Sequence, residues 1–266
     1  LVEVVDDREK VFYFEGEPRF EMKFIRRGVA EDENLEIFAP QRTADTRYMR
    51  IGGDEDEVTG GFPRTREELF TYPGLIIGSV EAGTFTGEQL QMSSDFVDRR
   101  GGGLLMLGGA RSFAEGGYGG TPVADALPFV IGPDVRAAEP SMFKRVRVAP
   151  TRAGETHAIT QIAADEAVSL ARWPDLPAVS VVNAPLALKP GATLLLNGTD
   201  EAGAPYPVLA TQPFGGGRAI GFMAQDSWQW QMHAAVSLED QTHEDFWRQL
   251  LRYLVDGVPC LLYTSA

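Results

Sequence analysis

Two short, almost wholly apolar runs, Gly74–Val80 and Leu104–Leu107, bracket a segment with the marks of an amphipathic helix. Strands buried on both faces read as continuous apolar stretches, because helices cover the sheet on either side. Between them, Thr86 stands three residues before Gln89, the spacing of a capping box, and Leu90, Phe96 and Val97 supply an apolar face. The helix is expected to stop at Gly101-Gly102-Gly103. A strand, a helix and a strand in that order imply a parallel pair with a crossover, the strongest constraint on the fold of this chain.

The same grammar appears upstream. Val11–Phe14 is a β-rich run, Phe20, Phe24 and Ile25 fall at helical spacing with Arg26 and Arg27 near the helix end, and Leu35–Ala39 reads as the next strand. Gly52–Arg64 is rich in glycine and acid and is expected to be a solvated loop. The second half changes character. Phe143–Val148 and Ala178–Val182 read as strands, with a short helix near Glu166–Arg172 between them. Thr193–Leu196, Val208–Thr211 and Ala219–Ala224 follow closely, joined by Asn197-Gly198 and Gly215-Gly216-Gly217, which is hairpin chemistry. A last helix from about Thr242 carries Phe246, Leu250 and Leu254 on one stripe. The expected fold is therefore α/β, a mostly parallel sheet with helices on both faces and an antiparallel extension in the C-terminal half.

Composition narrows the function classes. The 266 residues carry a formal net charge of −14, which argues against a nucleic-acid partner and against anionic lipid. The longest apolar runs fall far short of the roughly 20 residues a bilayer-spanning helix needs, so no direct membrane insertion is expected. The sole cysteine, Cys260, excludes an internal disulfide, a CxxC redox site and a multi-cysteine metal site. His157, His233 and His243 show no tight ligand spacing, so neither a metal nor a cofactor is expected. Asp54–Glu57 lacks the register of a calcium loop, Gly116–Gly120 lacks the lysine of a P-loop, and Asn197-Gly198-Thr199 is read as a turn rather than a glycosylation site. The chain starts at Leu1 without a methionine and reads as an excerpt. Residues 1–7 are expected to end a preceding β-rich domain or linker, residues 8–259 to form the domain, and 260–266 to be a foreign tail.

In an open parallel sheet the ligand crevice lies beyond the carboxyl ends of the strands. That rule selects Glu15, Glu17 and Arg19 after the first strand, Glu81 after Gly74–Val80, Gly108, Gly109, Arg111 and Ser112 after Leu104–Leu107, and Asp226 and Trp228 after Ala219–Ala224. These are the candidate ligand-binding residues. Glu81, Asp226 and His233 are the candidates for acid–base work. Each has a plainer reading. Glu15 and Glu17 can cap the first helix, Arg19 and Arg111 can pair with nearby carboxylates, Trp228 can be packing, and a single histidine is most often structural.

Arg8–Arg19, Gly101–Gly117 and Gln225–His233 with the closing helix resemble the class I glutamine amidotransferase-like superfamily, with its flavodoxin-like sheet. More narrowly, they resemble the putative glutamine amidotransferase domain of large bacterial membrane proteins that also carry von Willebrand A-type domains. The resemblance implies a cysteine nucleophile on a tight strand-to-helix turn, activated by a histidine that a glutamate holds. Here Leu104–Leu107 runs into Gly108-Gly109, so glycine stands where the thiol is expected, and Cys260 follows the last helix. The expectation is a domain without the nucleophile that binds a small molecule, sugar or peptide, or works through neighbouring domains of a membrane-anchored parent, extracytoplasmic side favoured. The rival expectations are a hydrolase or transferase acting through loop carboxylates, and a structural spacer.

Overall fold

The computed structural model describes residues 8–44, 47–53, 61–132, 143–237 and 239–258. The readings placed on residues 1–7, on Asp54–Glu57 and on the tail from 259, Cys260 included, lie outside them.

Ten strands form one mixed sheet in the order β3-β2-β1-β4-β5-β10-β9-β8-β6-β7. The strands are β1 (Glu9–Phe14), β2 (Leu35–Ala44), β3 (Arg47–Ile51), β4 (Gly74–Ile77), β5 (Gly103–Leu107), β6 (Lys144–Pro150), β7 (Val179–Val181), β8 (Thr193–Thr199), β9 (Pro205–Phe214) and β10 (Gly217–Phe222). β2, β1, β4, β5 and β10 run parallel, and β3 pairs antiparallel with β2 at one edge. On the other side β9, β8, β6 and β7 continue antiparallel from β10.

The helices are α1 (Phe20–Val29), α2 (Arg66–Phe70), α3 (Gly87–Asp98), α4 (Pro122–Ala126), α5 (Glu166–Arg172), α6 (Gln229–Met232) and α7 (Thr242–Val255). The chain moves from β1 to β2 in one direction along the sheet and from β4 to β5 in the other. Right-handed crossovers therefore put α1 and α3 on opposite faces. α1 packs with α7, and α3 with α4. The capping box at Thr86 and Gln89 is present as expected. α7 buries Phe246, Trp247, Leu250, Leu251 and Leu254 against the sheet, where Phe246 and Trp247 both meet Phe222 edge to face or tilted at 5.6 Å.

Several expectations need correction. Asn197-Gly198 lies inside β8 and not in a turn; the β8–β9 connection runs through Asp200–Ala204. Gly198 faces Val146 so closely that an added Cβ would sit 2.8 Å from its Cγ2, which explains a glycine within a strand. β2 continues past Ala39 to Ala44, and β3, α2 and α4 were not expected at all. The Gly215-Gly216 turn between β9 and β10 is found where it was placed, with Gly215 at φ +56.

Candidate functional site

The parallel strand order reverses between β1 and β4, which is where an open sheet offers its crevice. Glu15, the first residue past β1, fills that crevice. Its side chain is fully buried and accepts N–H groups from Gly16 (3.0 Å), Glu17 (3.4 Å) and Ser79 (2.9 Å) on Oε1. On Oε2 it accepts the Tyr13 hydroxyl at 2.8 Å and Arg19 Nε and Nη2 at 3.2 and 2.9 Å. Arg19 spends its third group, Nη1, on the carbonyl of Gly108 at 2.6 Å. A buried carboxylate holding six donors is tolerated because its charge is both paired and hydrogen-bonded. Neither Glu15 nor Glu17 caps α1: its N-cap is Arg19, with no side-chain cap bond.

A second layer lies over the first. Arg42, at the end of β2, donates Nε to the Gly16 carbonyl, Nη1 to Thr84 Oγ1 and Nη2 to both oxygens of Glu81 at 3.0 Å. Arg111 Nη1 reaches the same carboxylate at 3.5 Å. The Arg42 hydrogen bonds hold the Glu81 carboxyl down at about 2, although its side chain is 41% exposed. Glu81 is thus a committed anion, a poor general acid.

The Gly108-Gly109 turn is closed. The Gly108 N–H donates to Phe222 O at 2.6 Å, and the Gly109 N–H to Asn183 Oδ1 at 3.0 Å. Asn183 Nδ2 in turn donates to Gly109 O, Ser112 O and Glu115 Oε2, and Glu115 also accepts the Ala184 N–H at 2.7 Å. There is no room for a side chain either. A Cβ on Gly108 would lie 2.1 Å from Met223 O, and one on Gly109 would lie 2.6 Å from Ser79 Oγ and 3.0 Å from Arg19 Nη1. β5 also runs into a series of turns, not directly into a helix; α4 begins only at Pro122. Phe113 is the one non-glycine residue in the left-handed region among the described residues, at φ +52, and its buried ring packs edge-on to Phe129. Backbone strain at a nucleophile elbow would fall on the nucleophile itself. Here it falls on a core phenylalanine. Ser112 is fully buried and donates its hydroxyl to Gly78 O, not to a carboxylate or a histidine.

Asp226 and Trp228 belong to a separate cluster on the first turn of α1. Glu21, buried there, accepts the Ser227 N–H and hydroxyl on Oε1 at 3.2 and 2.6 Å and the Trp228 N–H on Oε2 at 3.3 Å. Burial pushes its carboxyl up to about 7, against the pull of those bonds and of Arg19. Trp247 Nε1 donates to Ser227 Oγ at 2.9 Å. Asp226 accepts from Ser180 N–H at 2.5 Å and from the Gln229 amide, and burial raises its pKa. Trp228 lies half-buried over Phe24 and Phe20, whereas Trp230 is wholly core. His233 is exposed and its Nδ1 accepts the Ala235 N–H, so no bond joins it to Asp226. His243 is the buried histidine, with neither ring nitrogen hydrogen-bonded and its pKa lowered by burial to about 3.

The structure therefore brings Glu15, Glu17, Arg19, Glu81, Gly108, Gly109, Arg111 and Ser112 together, joined by Arg42, Ser79 and Asn183, which sequence reasoning missed. Arg42 falls within the strand-end rule only once β2 is extended past Ala39 to Ala44. Nothing local marked Asn183, which acts across 74 residues of sequence. Among the described residues no group of three or more His, Cys, Asp and Glu could hold a metal ion, and no helix is long and apolar enough to cross a membrane.

A family model described as putative glutamine amidotransferase matches residues 40–256. No curated protein matches the chain. Among solved structures, the cytoplasmic protein STM1381 of Salmonella typhimurium LT2 is similar at 19% identity and a TM-score of 0.62, covering 92% of this chain and 99% of its own. The cytoplasmic protein STM3548 of Salmonella typhimurium is similar at 17% identity and a TM-score of 0.58, covering 92% and 98%. At such identities the likeness is one of fold.

Proposed function

The chain belongs to the putative glutamine amidotransferase family, and from that premise we propose that it is a member without glutaminase activity, a binding or interaction domain on a flavodoxin-like sheet. One observation carries the reading: the turn after β5 holds Gly108 and Gly109 where any side chain would collide with Met223 O or Ser79, and its N–H groups are already spent on Phe222 and Asn183. A thiol has no place there, and neither turn amide is free to stabilise an oxyanion. The alternative of a hydrolase working through loop carboxylates finds little support. Glu15 is locked to Arg19, Glu81 to Arg42 and Arg111, and His233 to its own backbone turn.

The same proposal includes the setting that the family resemblance suggests, a domain serving its neighbours within a longer membrane-anchored bacterial protein, on the extracytoplasmic side. The direct test is ammonia release from L-glutamine by the purified chain. The expected result is no release above a heat-inactivated control. Turnover that survives Cys260→Ala would overturn the reading.

A further inference from the structure

The crevice at the strand ends is filled by the protein's own groups, yet a groove beside it is not. A cavity of about 400 Å³ lies between α1 and the β2–β3 pair, lined by Arg19, Phe20, Lys23, Arg26, Gln41 and Ile51 among others. Its volume falls within the range of small-molecule sites. Phe20, Lys23 and Arg26 recur every three residues and so form one stripe of α1.

The charges of this groove are unusual for a chain of net charge −14. Among the described residues its lining holds three cations and no acid. Arg19 is neutralised by Glu15, but Lys23 and Arg26 form no ion pair with any described residue. Lys23 Nζ lies 5.9 Å from the Phe24 ring centroid, a weak substitute for an anion. Arg26 is half-buried, makes no hydrogen bond among the described residues, and burial lowers its pKa. The nearest acid in the adjoining 140 Å³ cavity, Glu36, shares that lining with Arg8 and with Arg26 and forms no salt bridge to either. A partly desolvated guanidinium without an acceptor is a cost that an incoming oxyanion would remove. Around it the walls are apolar: Phe20 is 63% exposed at the lip, and Ile51 and Met22 lie further in.

We propose that this groove binds a small organic oxyanion, a carboxylate or phosphate on an apolar, ring-sized body, with Arg26 and Lys23 holding the anionic head and Phe20 and Ile51 the body. A polyanion such as nucleic acid would meet the repulsion of the whole molecule, whereas one small anion in a concave basic site feels chiefly its near neighbours. The inference rests on the reading of the domain as a binding module, but it does not depend on the state of the Gly108-Gly109 turn.

The test is isothermal titration of the full chain with phenyl phosphate and with phenylacetate, with inorganic phosphate as the probe lacking a body, at low and high salt. Saturable binding of at least one aromatic anion is expected, tighter than inorganic phosphate. Arg26→Gln should weaken it by about tenfold or more, the worth of one charge-assisted hydrogen bond, and Lys23→Gln by less. Among the described residues neither side chain holds a hydrogen bond or an ion pair, so both variants should unfold close to the wild-type urea midpoint. Preference between the phosphate and the carboxylate identifies the head group. Absence of saturable binding for both aromatic probes, binding indifferent to Arg26→Gln, or inorganic phosphate binding as tightly as phenyl phosphate would each overturn the proposal. Glutamine turnover with anion binding intact would instead sink the non-glutaminase reading alone.

Discussion

Glu21 is expected to give stability a pH dependence opposite in sign to that of an ion-paired carboxylate, and Glu21→Gln to remove it. Burial raises Glu21 to about 7, so the folded protein keeps a proton that the unfolded chain has released. Its contribution is therefore most favourable below the ordinary carboxylate pKa of about 4.5 and is lost as the pH rises through 7. At about 1.4 kcal/mol per pH unit of displacement, the loss amounts to roughly 3 kcal/mol across that window. His243 has the opposite sign. Its pKa is lowered to about 3 by burial, so its contribution is present above about 6.5 and is lost as the pH falls toward 3.

Between about pH 4.5 and 6.5 the two slopes oppose each other, and the wild type is expected to be nearly flat as far as these two groups decide. The glutamine variant keeps only the histidine slope. Urea unfolding followed by tryptophan fluorescence, at half-unit steps from pH 4.5 to 7.5, gives both curves. The informative quantity is their difference, because every group common to the two proteins cancels. It should rise in favour of the variant by roughly 3 kcal/mol from the acid to the alkaline end, on top of a constant offset of about 1 kcal/mol for the altered bonds to Ser227 and Trp228. A difference that stays constant with pH would refute the argument. It would mean that the bonds from Ser227 and Trp228 fully offset the burial of the carboxylate.

Two further perturbations probe the strand-end layers. Asn183→Ala leaves the Gly109 N–H without an acceptor and deprives Glu115 of a donor, and should lower stability by about 1–3 kcal/mol in urea unfolding without conferring any glutaminase activity. Arg42→Ala removes the main cause of the low Glu81 pKa, so a carboxyl-carbon NMR titration should find that group moved up toward the ordinary range. The stabilisation tied to the depressed carboxyl is present above about 4.5 and lost as the pH falls toward 2, and this acid loss should shrink in the variant.

The features legible in the sequence were those written in local chemistry. Leu104–Leu107 needs only its own residues to declare a doubly covered strand, and Thr86 with Gln89 declares the start of α3 within four residues. Arg47–Ile51 declares nothing of the kind. β3 is an edge strand with half-exposed residues, and only its pairing with β2 makes it a strand. Asn197-Gly198 shows the reverse failure, a strong turn signal overridden because β6 and β9 both claim that stretch of β8. The site divides in the same way. The strand-end rule found Glu15, Arg19, Glu81 and the two glycines. It missed Arg42 because β2 was expected to end at Ala39, and it could not find Asn183, which arrives from a distant segment and takes the Gly109 N–H.

That closure bears on where an anion can be received. The donors that a switch-point crevice offers a ligand are backbone N–H groups and a nearby cation. In this chain Gly16, Glu17 and Ser79 give theirs to Glu15, and Arg19 divides its guanidinium between the same carboxylate and Gly108 O. An external anion at that point would have to displace a buried carboxylate that accepts six hydrogen bonds, and would leave that charge unpaired at a cost of several kcal/mol. One to two turns along α1 the balance reverses. Among the described residues Arg26 has lost part of its hydration without gaining a partner, and Lys23 beside it pairs with no carboxylate. The carboxylate at the switch point acts as a built-in ligand, and the capacity to receive a foreign one lies with the cations it leaves uncovered.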